Sequence, residues 1–124
     1  MRLVLVVVLG LVAAGCSSVS ESEQATQFLD QFAADWNARD EMAVFEAILP
    51  DGVYVTPAGT ELVGQEVVDQ WTRFLSTVSI ERTGDAVDNG DGSYSFNVEM
   101  SGGKRVLTIV MDGDELVSMV ETRQ

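Results

Sequence analysis

Any proton transfer by this chain would have to proceed without an imidazole, because its 124 residues include no histidine. The commonest general base and the commonest protein metal ligand are both missing. What remains is a supply of 20 carboxylates and two tyrosines. Tyr54 is the more interesting tyrosine. It shares a strand face with Thr56 in Val53-Tyr54-Val55-Thr56, so its hydroxyl is either a satisfied core group or a donor aimed at a ligand. Cys16 is the only thiol and leaves no partner for an intrachain disulfide, so a domain built from this chain must rely on its apolar core.

The acidic turn Asp85–Asp91 raises the question of calcium. A calcium loop of the EF-hand kind places oxygen donors at alternate positions, a glycine sixth and a glutamate twelfth. Counted from Asp88, the alternate positions are Gly90 and Gly92 and the sixth is Ser93, so that only the twelfth, Glu99, fits. The template fails, and Asn89-Gly90 and Asp91-Gly92 read as hairpin signals instead. No metal and no cofactor is expected. The formal net charge of −13 has the wrong sign for a nucleic-acid backbone, so nucleic acid is excluded as a partner.

The elements that must position these groups follow from periodicity. Phe28, Leu29, Phe32 and Trp36 fall on one face of a first helix, with Ser20-x-x-Glu23 as a capping box. Asp40 caps a short second helix with Met42, Phe45, Ile48 and Leu49 inward, and Pro50-Asp51-Gly52 ends it. A small hairpin, Val53–Thr56 with Thr60–Val63, leads through Gly64 to a third helix. Its apolar side carries Val67, Val68, Trp71, Phe74 and Leu75. The remainder reads as an antiparallel meander: Thr77–Val87, Tyr94–Met100, Val106–Met111 and Leu116–Thr122. Helices segregated to one face of such a sheet make an α+β domain.

The N-terminus is different in kind. Arg2 precedes twelve apolar residues, Leu3–Ala14, too few to span a bilayer, which needs about 20, but the length of a signal-peptide core. Ala13-Ala14-Gly15-Cys16 resembles the lipobox of bacterial lipoproteins, although Ala13 stands where leucine is usual. The resemblance implies cleavage after Gly15 and acylation of Cys16, hence a chain lipid-anchored at the outer face of the cell membrane or in the envelope. Acyl chains contribute about 0.8 kcal/mol per buried methylene, and two chains anchor stably. The alternative is an ordinary secretory signal with a chance cysteine. The expected division is 1–15 leader, 16–24 lipidated cysteine and polar tether, and 25–124 domain. Loss of Arg2 with the leader leaves 6 basic and 20 acidic residues, a net charge of −14. An acidic surface repels anionic headgroups, so the membrane tie would be the acyl group.

Trp36-Asn37-Ala38-Arg39-Asp40, the Leu49-Pro50-Asp51-Gly52-Val53 step, Thr56-Pro57-Ala58-Gly59 with Gly64, and Asp112-Gly113-Asp114-Glu115-Leu116 together resemble the nuclear-transport-factor-2-like superfamily, its SnoaL-like branch in particular. This implies a cone: a curved antiparallel sheet wrapped around a long N-terminal helix, with two further short helices and a deep pocket. Isomerase relatives of the ketosteroid type use a tyrosine and two aspartates. The matching positions here hold Phe32, Thr56 and Leu107, which cannot run that chemistry, so no catalytic residues are assigned from it. Epoxide-hydrolase relatives use an Asp–Arg–Asp set, for which Asp35, Arg73 and Glu99 are candidates, although Asp35 and Arg73 read better as surface residues.

The expected pocket wall comprises Phe32, Trp36, Tyr54, Thr56, Trp71, Leu107 and Met119. The function this implies is a membrane-anchored, non-catalytic binding module for a small apolar ligand. One alternative is a SnoaL-like enzyme using Tyr54 with Asp35 or Glu121, which requires a carboxylate buried in the cone. Another is a homodimer through the sheet face, since Val106–Met111 is apolar on both parities except at Thr108.

Overall fold

A computed structural model describes residues 20–124; the expected leader and Cys16 lie outside the described residues. Helix α1 (Glu21–Asn37) starts at the Ser20 cap. The Ser20 hydroxyl accepts the Glu23 N–H, and the Glu23 carboxylate accepts the Ser20 N–H in return. The capping box is therefore formed, and the helix begins inside the stretch expected to be tether, because two of its orphan donors are satisfied there.

Asp40 caps α2 (Glu41–Glu46), whose inward residue is Val44, while Met42 is 73% exposed. Of the expected inward set, Ile48 is buried and Phe45 and Leu49 pack against the core, but Met42 is corrected to an outward residue, its place taken by Val44. Gly52 closes the turn. A Cβ there would stand 2.5 Å from the Ile48 carbonyl oxygen, so only glycine fits.

Seven strands form one sheet: β1 (Val53–Val55), β2 (Glu61–Val63), β3 (Ile80–Arg82), β4 (Val87–Asp88), β5 (Ser93–Met100), β6 (Gly103–Asp112) and β7 (Glu115–Arg123). Their order is β2-β1-β7-β6-β5-β3, with β4 also on β5. Between β1 and β2 on one side and β3 on the other lies α3 (Gln65–Thr72) in the chain. The expected single strand Thr77–Val87 is two short strands, β3 and β4, because the chain leaves the ladder over Gly84–Ala86, after a last bond from the Thr83 N–H to the Asn97 carbonyl. One pairing is parallel: β1 runs beside β7, with Tyr54 opposite Met119. The fold is thus α+β, a curved sheet around a long N-terminal helix with two short helices.

Alternation assigns the faces. Phe96, Val98, Leu107, Ile109 and Met119 point inward and are buried against Leu29, Phe32 and Trp36 of α1. The outward face carries Val53, Val55, Val106, Val110 and Val120, all half-buried, with Val63 and Val87 exposed beside them.

The Trp36-Asn37-Ala38-Arg39 step has a structural explanation. The Trp36 indole N–H and an Arg39 guanidinium N–H both donate to the Val78 carbonyl, each at 2.8 Å. The Asn37 amide brackets Ile80, donating to its carbonyl at 2.8 Å and accepting its N–H at 2.9 Å. Arg39 takes a left-handed backbone, φ 62°, to turn the chain out of α1. These bonds fasten the C-terminal end of α1 to edge strand β3 and so fix one rim of the cone.

Candidate functional site

Between the second half of α1, α3 and the β1–β7–β6 part of the sheet lies a cavity of about 370 Å³, a size typical of small-molecule sites. Its floor and wall are aromatic. Trp71 of α3 meets Tyr54, Phe32 and Trp36 at centroid separations of 5.3, 5.3 and 5.7 Å, edge to face in each case. Such contacts contribute about 0.5–1.5 kcal/mol each beyond the area they bury. Leu107, Met119, Ile80 and Met100 complete the apolar wall, and Pro57, Phe74, Val78, Gly102 and Arg123 border the opening.

Six of the seven expected wall residues, Phe32, Trp36, Tyr54, Trp71, Leu107 and Met119, line this cavity. Thr56 does not. It lies just beyond β1, where its hydroxyl accepts the Thr60 N–H at 3.1 Å and shapes the hairpin turn. Phe74, expected to be packed on the inward side of α3, is 42% exposed. It follows the end of α3, where the chain has left the helical register that buries Val67 and Trp71.

One stretch of the wall is polar. Tyr54 is buried, and its hydroxyl donates to Glu121 Oε1 at 2.5 Å. Glu121 Oε2 faces Arg105 Nε at 3.3 Å, with side-chain exposures of 13% and 20%. That N–H is buried and not aligned for a hydrogen bond, so the contact is an ion pair alone. Arg105 also donates to the Lys104 carbonyl at 3.0 Å. Burial, reinforced by the Glu121 carboxylate, pushes the Tyr54 hydroxyl well above the usual range of a phenol. Tyr54 therefore stays protonated and acts as a donor.

Register brings the cluster together. Glu121 pairs with Leu107, and Arg123 with Arg105, across β6 and β7. Tyr54 is beside Met119, two residues from Glu121. Glu121 shares a face with Met119, and Arg105 with Leu107, because same-face residues are two apart. That parity is the signal that finds Arg105, which the reading of motifs passes over.

The Asp35, Arg73 and Glu99 candidates do not converge. Asp35 accepts from Gln31 at 2.9 Å one turn away on α1. Arg73 is an exposed residue at the end of α3, and Glu99 lies exposed on the opposite parity of β5. Asp69 accepts from Gln65 on the outside of α3. The arginine–carboxylate pair inside the cone is Arg105–Glu121, with a single acid. Among the described residues no group of three or more metal-ligating side chains gathers.

The sequence matches no protein-family model and no curated protein. Solved structures do match. A SnoaL-like protein of unknown function from Burkholderia thailandensis superposes with a TM-score of 0.68 at 17% identity, over 82% of this chain and 95% of its own. Bal32a, from a soil-derived mobile gene cassette, gives 0.66 at 14% identity, over 82% and 90%. A hypothetical protein with a ketosteroid isomerase-like fold from Catenulispora acidiphila, solved in complex with trimethylamine, gives 0.59 at 18%, over 79% and 85%. The class these define is the nuclear-transport-factor-2-like fold in its SnoaL-like and ketosteroid isomerase-like forms. This chain has that fold; identities this low extend to the fold alone.

Proposed function

We propose that this chain is an exported lipoprotein, anchored through acylated Cys16, whose cone binds a small molecule with an apolar body. The observation that carries the binding reading is the 370 Å³ cavity walled by Phe32, Trp36, Trp71, Leu107 and Met119. The lipobox-like Ala13-Ala14-Gly15-Cys16 supports the anchor. Native mass spectrometry of protein released gently from its membrane tests the binding, with a co-purifying small molecule expected and Trp71→Ala releasing it. Fractionation tests the anchor: the wild type sediments with membranes and Cys16→Ser does not.

A second reading is supported by the Tyr54–Glu121–Arg105 cluster. A carboxylate held between a phenol and a guanidinium at a cavity wall can orient a water or a substrate proton. Incubating the co-purified molecule with wild type and with Glu121→Gln decides the matter: product formed by the wild type alone makes the cone an active site.

The valine-rich outward face supports self-association through the sheet. Light scattering across a concentration series tests it, with a dimer expected and a strict monomer removing it.

A further inference from the structure

We infer that the ligand carries an anionic head group, a carboxylate in the simplest case, held by Arg105 and Arg123; the inference rests on the proposal that the cavity binds a small molecule. The chain has 20 acidic residues against 7 basic ones, yet the cavity is lined by two arginines and one acid, Glu121. The local sign is the reverse of the molecule's. The two arginines are direct cross-strand partners on β6 and β7, an arrangement of like charges that is unfavourable without a counter-ion between them.

Glu121 is one counter-ion, and its oxygens are both engaged, one by the Tyr54 hydroxyl and one facing Arg105. It neutralises one arginine and leaves an excess of one positive charge at the opening. The Arg105 Nε–H is buried and has no aligned acceptor. An incoming carboxylate would supply that acceptor and separate the two guanidinium groups, with the bidentate geometry arginine favours. The head would stay at the rim beside Arg123, and the apolar body would lie against Trp71 and Phe32.

The two tryptophans of the chain, Trp36 and Trp71, both line the cavity, so intrinsic fluorescence of the full chain reports occupancy directly. Titration with phenylbutyrate, phenylbutanol and phenylbutylamine compares one apolar body bearing an anion, a neutral group and a cation. The acid is expected to bind at least about tenfold more tightly than the alcohol, and the amine more weakly still. Arg105→Gln and, separately, Arg123→Gln should shrink the margin of acid over alcohol several-fold. Lys104→Gln, which removes the same charge on the opposite parity of β6, should leave it unchanged. Arg123 is exposed, so its variant remains informative if Arg105→Gln misfolds. Equal binding of acid and alcohol, or preference for the amine, overturns the anionic head while leaving the pocket; no response to any probe overturns the binding reading as well.

Discussion

The Tyr54 hydroxyl donates to Glu121 Oε1 at 2.5 Å across a parallel strand pair. This joins the first strand of the sheet to the last. Removing the acceptor leaves a buried phenol and a mostly buried guanidinium without their partner. Glu121→Ala is expected to destabilise the protein by about 1–3 kcal/mol, moderated because Arg105 can still reach water. Tyr54→Phe should cost about 1 kcal/mol, since Glu121 keeps Arg105. Urea denaturation measures both, and an unchanged midpoint for Glu121→Ala would show that the cluster contributes nothing to stability.

Alkaline pH should act on the same pair. The unfolded phenol titrates near pH 10, and the folded Tyr54 lies above that value. Below pH 10 both states are protonated and the stabilisation is complete. As pH rises past about 10 the unfolded state loses its proton first, so stability falls with further increase. Tyr54→Phe should show a shallower decline above pH 10 than the wild type in a pH series of thermal melts. Tyrosinate absorbance of the wild type should appear later than that of free tyrosine.

Asn37 holds edge strand β3 by both groups of its amide. Asn37→Ala removes two hydrogen bonds and leaves the Ile80 backbone unpaired on that side. A loss of about 1–3 kcal/mol is expected, together with faster hydrogen exchange at the Ile80 amide. Exchange at Ile80 no faster than in the wild type would mean that β5 alone secures the strand.

The helices and the meander are legible in the sequence because burial there obeys simple periods: Leu29, Phe32 and Trp36 on α1, and Phe96 and Val98 on β5. Met42 misleads because a six-residue helix is too short for apolar periodicity to specify its face. Thr77–Val87 reads as one strand only when Gly84-Asp85, the breaker pair at which the chain leaves the ladder, is passed over. The parallel pairing of β1 with β7 is a contact between distant segments, with no local signature. The apolar wall of the site follows from parity and from aligned motifs. The polar cluster emerges only when three separate strands are placed in register: parity with Leu107 turns Arg105 inward, but nothing local names Glu121 and Tyr54 as its neighbours.

Trp71 is the hub of the aromatic wall, in contact with Phe32, Trp36 and Tyr54. Trp71→Ala should cost about 3–5 kcal/mol, whereas Trp71→Phe should lose less by keeping an aromatic edge. Urea midpoints order the two. A loss for Trp71→Ala below 1 kcal/mol would mean that neighbours collapse into the space and that the cavity wall is pliable.

Helix α1 has a polarity. Its capped start is at Ser20, whereas Phe32 and Trp36 belong to its opposite half, roughly 18–24 Å further along at 1.5 Å per residue. The aromatic lining of the cavity and the capped start of the helix thus lie towards opposite ends of α1.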